Sequence, residues 1–373
     1  MHSTDKIKLS DSIRLAKKPF LIAGPCSVES PTQVMETALA LSDANQVDVL
    51  RGGVWKPRTR PDSFEGIGEQ ALPWLIAAGK AIDKPVIVEV ANAKHVDAAL
   101  KHGVNQLWIG ARTTVNPFAV QEIADALKGI EIPIMIKNPI NPDLMLWVGA
   151  IERFLKAGIS DITAIHRGFS VYNHPKYRNI PNWEIPIGLK EIFEDLPLLC
   201  DPSHIVGRRD GIAAVAQKAM DLNFDGLMIE SHIQPELALS DNQQQLTPND
   251  LSIIFSNLRK RKQEVSKDEL LQLEIMRDKI AQLDDQIIHA ISYRMGLAEE
   301  IGDFKRDNDI TILQQDHWKK VIAHRLEQSS KVNLSQTFMR SLMDAIHQES
   351  IRRQTKVMNP FLENVEKTKK SAE

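Results

Sequence analysis

The sequence has almost no cysteine and no long apolar run. Its 373 residues include only two cysteines, Cys26 and Cys200, which excludes the disulfide framework of a small secreted protein. No uninterrupted apolar segment approaches the roughly 18 residues that cross a bilayer, and the amino-terminal segment lacks the apolar core of a signal peptide. We therefore expect a cytoplasmic protein with both thiols reduced.

An excess of positive charge is also missing. The chain has 46 Lys and Arg against 49 Asp and Glu, a formal net charge of −3. Nucleic acids and anionic membranes bind basic surfaces, so neither is expected as a principal partner. With 43% hydrophobic and 25% charged residues, the composition is that of a folded globular protein. The length allows two domains or one large barrel with an appendage.

Short apolar segments alternate with longer segments of helical periodicity over most of the chain. We predict eight strands, at residues 20–22, 47–50, 86–90, 106–109, 134–136, 161–164, 198–200 and 226–229. Strands separated by helices indicate parallel βα units. Eight units in about 235 residues are typical of a closed (β/α)8 TIM barrel, an α/β fold. An open doubly wound sheet is the alternative.

Polar residues follow every predicted strand, at the end where a (β/α)8 barrel carries its active site. Six cations follow four of these strands: Arg51, Lys56, Arg58, Arg112, Lys137 and Arg167. A single arginine at a strand end is more often part of a surface ion pair. Six cations at one mouth repel each other unless a ligand neutralises them, so they predict a substrate with several phosphate or carboxylate groups.

A second group of residues mixes sulfur, nitrogen and oxygen donors. Its members follow the first, seventh and eighth strands, which are neighbours once a barrel closes: Cys26, His204, Glu230 and Asp241. A lone cysteine near a strand end is usually a small buried hydrophobe. The four donors together favour a divalent metal such as Mn(II), Fe(II) or Zn(II) over Mg(II) or Ca(II). Four more residues near strand ends stay ambiguous: His166, Glu89, Cys200 and His232.

These motifs resemble the family of 3-deoxy-D-arabino-heptulosonate-7-phosphate (DAHP) synthases. The resemblance rests on AGPCSVE (23–29), RGGVWKPRT (51–59), IGAR (109–112), DPSH (201–204) and ALSD (238–241). It implies that the four mixed donors hold a metal, with Mn(II) expected and Fe(II), Zn(II) or Co(II) as alternatives. It implies that phosphoenolpyruvate is bound by Arg51, Lys56, Ala111, Arg112, Lys137 and Arg167. It implies that erythrose 4-phosphate is bound by Pro57, Arg58 and Thr59.

The related synthases of 3-deoxy-D-manno-octulosonate 8-phosphate are the rival family for this barrel. They usually carry Ala-Asn where this sequence has Pro57 and Arg58, so erythrose 4-phosphate is favoured over arabinose 5-phosphate as the aldose. Lys56 is the candidate for proton delivery. We expect its pKa to be lowered because Arg51 and Arg58 lie beside it in the sequence.

The composition changes after a charged linker at residues 261–267. A heptad pattern runs through residues 270–304, and Arg294 occupies a seam position that should be apolar. A coiled-coil stalk is one interpretation of this pattern. Two shorter helices are predicted at residues 313–326 and 336–355, where Ser350 and Gln354 lie one turn apart.

This helical stretch resembles the all-helical chorismate mutase family over about residues 267–356. The resemblance implies that Arg294 and an Arg277 from a partner chain hold the two carboxylates of chorismate, which rearranges to prephenate. Lys305 and Gln354 would face the ether oxygen, and Ser350 would support the ring. Arg277 and Lys305 are 28 residues apart on one helix, roughly 42 Å. If both serve one ligand, Arg277 comes from a second chain, so we expect a homodimer.

Departures from the family pattern occur on the second predicted helix. Gln314, His317 and Trp318 stand where the family often has an acidic residue, Arg and Glu. A second interpretation therefore makes the helical domain a dimerising sensor that binds prephenate or chorismate without converting it.

We predict a bifunctional shikimate-pathway enzyme of aromatic amino acid biosynthesis. Its expected parts are a DAHP synthase barrel at residues 1–260, a linker at 261–267, an all-α three-helix chorismate mutase-like domain at 268–358 and a disordered tail at 359–373. Feedback regulation of the barrel through the helical domain is expected, because the fusion joins the pathway's first committed step to an enzyme that consumes its end product.

Overall fold

The computed structural model describes residues 8–43, 47–56, 64–172, 174–261 and 265–360. The chain divides into two compact units, Met1–Gln263 and Glu264–Glu373, which we call the barrel unit and the helical unit. Within the described ranges, no helix is both long enough and apolar enough to cross a membrane. Most of the predicted tail, residues 361–373, lies outside the described residues.

Among the described residues of the barrel unit there are ten strands, and eight of them form the barrel. In chain order they are β1 (Phe20–Gly24), β2 (Val49–Arg51), β3 (Val86–Val90), β4 (Gln106–Ile109), β5 (Ile134–Lys137), β6 (Ile162–His166), β7 (Phe169–Ser170), β8 (Asn179–Ile180), β9 (Leu198–Cys200) and β10 (Gly226–Glu230). The barrel strands are parallel, and β1 pairs with β10 to close the circle, with Phe20 opposite Gly226. This closure confirms the predicted TIM barrel and excludes the open sheet. The short strands β7 and β8 form a separate antiparallel pair.

In the described part of this unit, one helix precedes the first barrel strand, and the other helices lie between or after the strands. The α-helices are α1 (Leu9–Leu15), α2 (Pro31–Asp43), α3 (Leu72–Ala81), α4 (Ala93–His102), α5 (Ala111–Thr114), α6 (Pro117–Ala126), α7 (Leu144–Lys156), α8 (Glu184–Ile192), α9 (Pro202–Val206), α10 (Ile212–Asp221) and α11 (Pro248–Asn257). Several begin with a side chain that accepts a hydrogen bond from the first turn, as Asn92 does for α4 and Asp143 for α7. These caps satisfy backbone N–H groups that have no partner inside the helix.

The core follows the two-residue period of the strands. Alternate residues such as Ile22 and Ile87 fill the barrel interior together with the buried Trp108. Their neighbours, such as Leu21 and Val88, pack against the surrounding helices. Ile13 of α1 belongs to the interior cluster. The barrel is therefore a packed core, which leaves the carboxyl ends of the strands for a site.

Several strands end later than the sequence pattern predicted. β2 and β5 end at Arg51 and Lys137, and β10 ends at Glu230. The apolar pattern stops before such residues, but the strands continue because these charges are paired in the interior, as Lys137 is with Asp201. The helix α1 and the β7–β8 pair were not predicted.

The helical unit consists of three helices, as predicted: α12 (Lys267–Asp307), α13 (Gln315–Lys331) and α14 (Gln336–Met358). Ser266 and Glu269 form a capping box at the start of α12. α12 approaches α14 closely at Gly302, where an added Cβ would lie 3.1 Å from the Cα atom of Gln354. A side chain at this position would push the two helices apart.

Candidate active site

Three of the predicted metal ligands lie together at the carboxyl end of the barrel. Cys26 follows β1, Glu230 ends β10, and Asp241 lies in the next loop; one ligand atom from each falls within 4.8 Å of the others. We call these three residues the donor cluster. Cys26 reaches it because the chain turns at Gly24, where φ is 148°. A Cβ there would lie 2.1 Å from the carbonyl oxygen of Arg51, so only glycine fits.

The fourth predicted ligand, His204, lies beside the donor cluster without belonging to it. Its Nε2 is 3.8 Å from Glu230 Oε1, and its Nδ1 is 2.8 Å from Asp201 Oδ2. Asp201 caps α9, the short helix that carries His204. A carboxylate on one ring nitrogen, with the other nitrogen directed at oxygen donors, is the usual arrangement of a metal-binding histidine.

The charges of the cluster suit a cation. Burial raises the pKa of Asp241, but the lowering by Arg178 and His204 is larger, so the net shift of this pKa is downward. The pKa of Glu230 is also lowered, against the effect of burial, by His204 and Arg51. Burial, with the negative charge of Glu230, raises the pKa of the Cys26 thiol to about 12.

An unsatisfied oxygen completes the fit to a metal. Glu230 Oε1 is buried and accepts no hydrogen bond within the part of the chain that the structure describes, although Arg51 Nη2 lies 3.3 Å away. One thiol, two carboxylates and a neighbouring imidazole are donors that Mn(II), Fe(II) and Zn(II) accept. The residues present therefore fit a divalent transition metal.

A cavity of about 290 Å³ opens next to these donors. Its lining includes three of the predicted cations and one further arginine: Arg112, Lys137, Arg167 and Arg178. Ala111 and His204 line it as well. We call it the anion cavity, because four cations around a space of this size attract phosphate and carboxylate groups.

Neighbouring side chains hold the cations of the anion cavity in place. Lys137 Nζ donates to Asp201 Oδ2 at 2.7 Å, and Arg167 Nη1 donates to Asn179 Oδ1 at 2.7 Å. Burial lowers the pKa of Arg167 to about 10, which still leaves it charged at neutral pH. Two cations are thus oriented before any ligand arrives, which lowers the entropic cost of binding.

Arg51 is buried beneath the site with unused hydrogen-bond donors. Its side chain is 1% exposed, and its guanidinium carbon lies 5.0 Å from the ring centre of Trp108. Nε and Nη1 have no hydrogen-bond partner among the described residues. Buried donors of this kind are costly unless a ligand or water satisfies them.

The pKa shift of Lys56 is opposite to the one predicted from the sequence. The Nζ atom of Lys56 lies 2.9 Å from Cys26 Sγ. Burial lowers the pKa of Lys56, but its electrostatic interactions with Cys26 and Glu230 outweigh burial and the repulsion from Arg51, so the net pKa is raised. The predicted lowering was wrong because it counted neighbouring cations in the sequence and missed the acidic groups that the fold brings to the lysine. Pro57, Arg58 and Thr59 lie outside the described residues.

Sequence reasoning missed two residues of this site. Arg178 lines the anion cavity and forms an ion pair with Asp241, and Gln244 donates to Glu230 Oε2 at 2.7 Å. Arg178 lies eleven positions after Arg167 in the loop that follows β6. Its place in that loop was an available signal, but its contact with a residue 63 positions later required the fold.

The helical unit brings together four of its five predicted site residues. Arg294 Nη1 donates to Ser350 Oγ at 2.5 Å, and Lys305 Nζ donates to Gln354 Oε1 at 3.1 Å. These contacts join α12 to α14 through buried polar side chains. The fifth residue, Arg277, is exposed near the start of α12, away from this group. The group therefore offers two oriented cations but lacks the third.

One of the departures from the family pattern, Trp318 on α13, makes a contact of a different kind. The ring of Trp318 stacks on that of His347 from α14, with centroids 3.8 Å apart and planes within 5°. Burial and the charges of Arg294 and Lys305 lower the pKa of His347. The aromatic stack thus lies close to the two cations, where the second helix offers a ring instead of a carboxylate.

Comparison with known proteins agrees with both units. The model of the DAHP synthetase I family matches residues 8–267, and that of chorismate mutase type II matches residues 276–355. A phospho-2-dehydro-3-deoxyheptonate aldolase from Thermotoga maritima is 33% identical over 246 residues, 66% of this chain and 70% of that protein. A 2-dehydro-3-deoxyphosphooctonate aldolase from Nitratidesulfovibrio vulgaris is 26% identical over 253 residues, 61% of this chain and 86% of that protein.

Solved structures give the same result. The crystal structure of the DAHP synthase from Thermotoga maritima superimposes with a TM-score of 0.57 at 30% identity, covering 64% of this chain and 68% of that one. A truncated form of the Thermotoga enzyme has a TM-score of 0.55 at 28% identity, with 64% and 84% covered. The chain is therefore an enzyme of the DAHP synthetase I family that carries a chorismate mutase type II domain in its carboxy-terminal part.

Proposed function

We propose that the barrel unit catalyses the metal-dependent condensation of phosphoenolpyruvate with erythrose 4-phosphate and water, giving DAHP and inorganic phosphate. The observation that carries this proposal is that two residues lining the anion cavity also reach the donor cluster: His204 lies 3.8 Å from Glu230, and Arg178 pairs with Asp241. A substrate with a phosphate and a carboxylate fits the cavity, and a carbonyl oxygen fits beside the cluster. With its chorismate mutase domain, the chain is a bifunctional enzyme of aromatic amino acid biosynthesis.

In this proposal the metal is held by Cys26, Glu230 and Asp241, with His204 as the fourth ligand. Mn(II) is the expected ion, and Fe(II), Zn(II) and Co(II) are alternatives. A divalent ion held there would supply a Lewis acid for the aldehyde oxygen of the aldose. In the reaction, carbon 3 of the enol phosphate forms a bond to the carbonyl carbon, water adds to carbon 2, and inorganic phosphate leaves.

The cations of the barrel bind and orient phosphoenolpyruvate. Arg112, Lys137 and Arg167 meet its phosphate and carboxylate groups at the anion cavity, and the unused donors of Arg51 point to a further contact. When inorganic phosphate leaves, these side chains compensate its charge without having to reorganise. Ala111 lines the cavity as an uncharged neighbour of Arg112.

Lys56 is the proposed proton donor for the aldehyde oxygen. Its raised pKa keeps the ammonium protonated at neutral pH, so it can give a proton but cannot act as a base in this state. Pro57, Arg58 and Thr59 are proposed to bind erythrose 4-phosphate because they directly follow Lys56 in the chain.

The barrel reaction is tested by following the ultraviolet loss of phosphoenolpyruvate with purified full-length protein and Mn(II). Loss with erythrose 4-phosphate, and much slower loss with arabinose 5-phosphate, is expected. The opposite preference would indicate the activity of a 3-deoxy-D-manno-octulosonate 8-phosphate synthase instead.

We also propose that the helical unit converts chorismate to prephenate. Arg294 and Arg277 of a second copy would hold the two carboxylates, and Ser350 would support the ring. Lys305 and Gln354 would face the ether oxygen, where negative charge builds up in the transition state. No acid or base is required, because orientation and charge stabilisation account for the rate.

The homodimer in this proposal forms through α12. An apolar row along this helix is exposed in the single chain; Met276, Ile280 and Ile287 have exposed fractions of 52%, 57% and 54%. A continuous apolar row of this kind favours a partner surface. A second copy also supplies the third cation that the group around Arg294 lacks.

The Trp318 and His347 stack favours a second candidate function. In this alternative the helical unit binds chorismate or prephenate without converting it and regulates the barrel. The ultraviolet loss of chorismate, measured beside an Arg294→Ala variant, separates the two. Turnover by the wild type alone supports catalysis at Arg294; no turnover by either, while the barrel reaction proceeds, supports a sensor.

The domains we assign are residues 1–260 and 268–358 with a linker at 261–267, close to the division between the two compact units.

Feedback on the barrel reaction through the helical unit is part of the proposal in both cases. A ligand of the helical unit regulates the barrel only if it binds the active and inactive states with different affinity. If prephenate and chorismate leave the barrel rate unchanged across their binding range, regulation of this kind is absent.

A further inference from the structure

The loop after β6 carries an arginine whose contacts reach both parts of the barrel site. Arg178 lines the anion cavity. Its Nη1 donates to Asp241 Oδ1 at 3.0 Å and to Gln244 Oε1 at 2.7 Å. One guanidinium thus lies at the cavity wall and at the donor cluster.

Gln244 extends this contact to a second member of the cluster. The glutamine is fully buried, and its Nε2 donates to Glu230 Oε2 at 2.7 Å. This bond occupies one oxygen of the carboxylate, while the other, Oε1, faces His204 at 3.8 Å. Arg178 therefore supports Asp241 directly and Glu230 through Gln244.

Asp241 offers one carboxylate oxygen to Arg178 and the other to the donor cluster. Its Oδ1 accepts the hydrogen bond from Arg178 Nη1. Its other oxygen, Oδ2, lies 3.3 Å from Cys26 Sγ. The contact with Arg178 thus fixes which oxygen of Asp241 faces the cluster.

We propose that Arg178 is a positioning residue that couples the anion cavity to the metal donors. It orients two metal donors, Asp241 directly and Glu230 through Gln244. An anion in the cavity lies beside the same guanidinium. The anion adds negative charge next to the cluster, so anion and metal each strengthen the binding of the other. This inference rests on the proposed metal site.

The test measures the affinity of metal-free full-length protein for Mn(II), from the electron paramagnetic resonance signal of free Mn(II), with and without phosphoenolpyruvate. The wild type is expected to bind Mn(II) more tightly when phosphoenolpyruvate is present. Arg178→Lys keeps the charge but removes the planar guanidinium that donates to both Asp241 and Gln244. The affinity for Mn(II) should therefore fall about tenfold. The tightening by phosphoenolpyruvate should also be lost.

Two further variants separate positioning from general damage. Gln244→Leu should weaken Mn(II) binding more than it weakens the binding of phosphoenolpyruvate to the metal-free protein, because Gln244 contacts Glu230 and does not line the cavity. Arg153→Lys is the matched control; Arg153 donates to Gln121 at 3.0 Å on the outer helices and should leave both affinities unchanged. Thermal melting of the metal-free variants checks that they fold.

The outcomes distinguish this inference from the proposed function. If the wild type binds no Mn(II), the metal site fails and Arg178 has no role toward it. If the wild type binds Mn(II) but Arg178→Lys has the same affinity and keeps the effect of phosphoenolpyruvate, the metal site stands and the coupling is overturned. If Arg178→Lys does not fold, unchanged Mn(II) affinity in Gln244→Leu overturns the inference.

Discussion

The ammonium of Lys137 lies 2.7 Å from a carboxylate oxygen of Asp201, and both side chains are buried. The second contact of Asp201 is with His204 Nδ1, at 2.8 Å. Burial raises the pKa of Asp201, but His204 and Lys137 outweigh this and hold it well below its usual value. One ionised carboxylate therefore supports a cation of the anion cavity and a proposed metal ligand together.

Asp201→Asn is expected to weaken both functions of the barrel site. The variant leaves the buried Lys137 without its counter-charge, and a broken buried pair costs about 3–5 kcal/mol. We expect a lower free energy of unfolding by denaturant, and weaker binding of phosphoenolpyruvate and Mn(II). The control is Asp195→Asn, which removes an exposed ion pair with Arg14 and should cost less than about 1 kcal/mol. Equal effects of the two substitutions would contradict this role of Asp201.

Removal of the metal is expected to abolish the barrel reaction reversibly. Treatment with a chelator should stop the loss of phosphoenolpyruvate, and Mn(II) should restore it. Mn(II) should not restore the activity of Cys26→Ala, because this substitution removes the only sulfur of the donor cluster. Cys200→Ala removes the other buried thiol, which lies in the strand β9, and should respond to Mn(II) like the wild type. A Cys26→Ala variant with full activity would remove this residue from the metal site.

Two inactive helical variants are expected to complement each other if the site is shared between chains. Arg277→Ala and Arg294→Ala should each lose chorismate mutase activity. A mixed dimer keeps one site in which both arginines are intact, so an equal mixture that exchanges subunits should regain about one quarter of the wild-type rate. The ultraviolet loss of chorismate measures this rate. If the two variants are each inactive and their mixture is equally inactive, each site draws both arginines from one chain.

Binding of a dianion to the helical unit is expected to take up protons. The pKa of His347 is lowered from 6.5 by burial and by the charges of Arg294 and Lys305, which outweigh the raising effect of Asp344. Two carboxylates that neutralise these cations remove part of the lowering, so the imidazole gains a proton on binding at pH values below 6.5. Calorimetric titration with prephenate in buffers of different ionisation enthalpy measures the uptake, which His347→Gln should abolish.

The architecture could be predicted from the sequence because it depends on local patterns. Eight apolar segments separated by helical stretches indicated the barrel, and the heptads from residue 270 indicated the long helix α12. The ends of the strands could not be read in this way. Arg51, Lys137 and Glu230 are charged residues inside strands, and their pairing partners come from distant parts of the chain.

The barrel site was predicted in composition but not in electrostatics. The residues of the donor cluster were found because they follow strands that become neighbours when the barrel closes. The direction of the pKa shift of Lys56 was wrong, because the sequence shows Arg51 nearby but not the distance to Glu230. Arg178 was missed for the same reason: its partner Asp241 lies in the loop after a different strand.

The glycine at the end of β1 has a consequence for how this barrel can be re-engineered. An added Cβ at Gly24 would overlap the carbonyl oxygen of Arg51, and its three nearest atoms are all backbone atoms of Arg51, which cannot move aside as a flexible side chain could. In a saturation library, every substitution at this position should therefore disturb Cys26 and Arg51 at once. We therefore expect no functional substitution at position 24 in a search for variants that accept a different aldose. Selection for a new specificity must act on other residues, such as those that line the anion cavity.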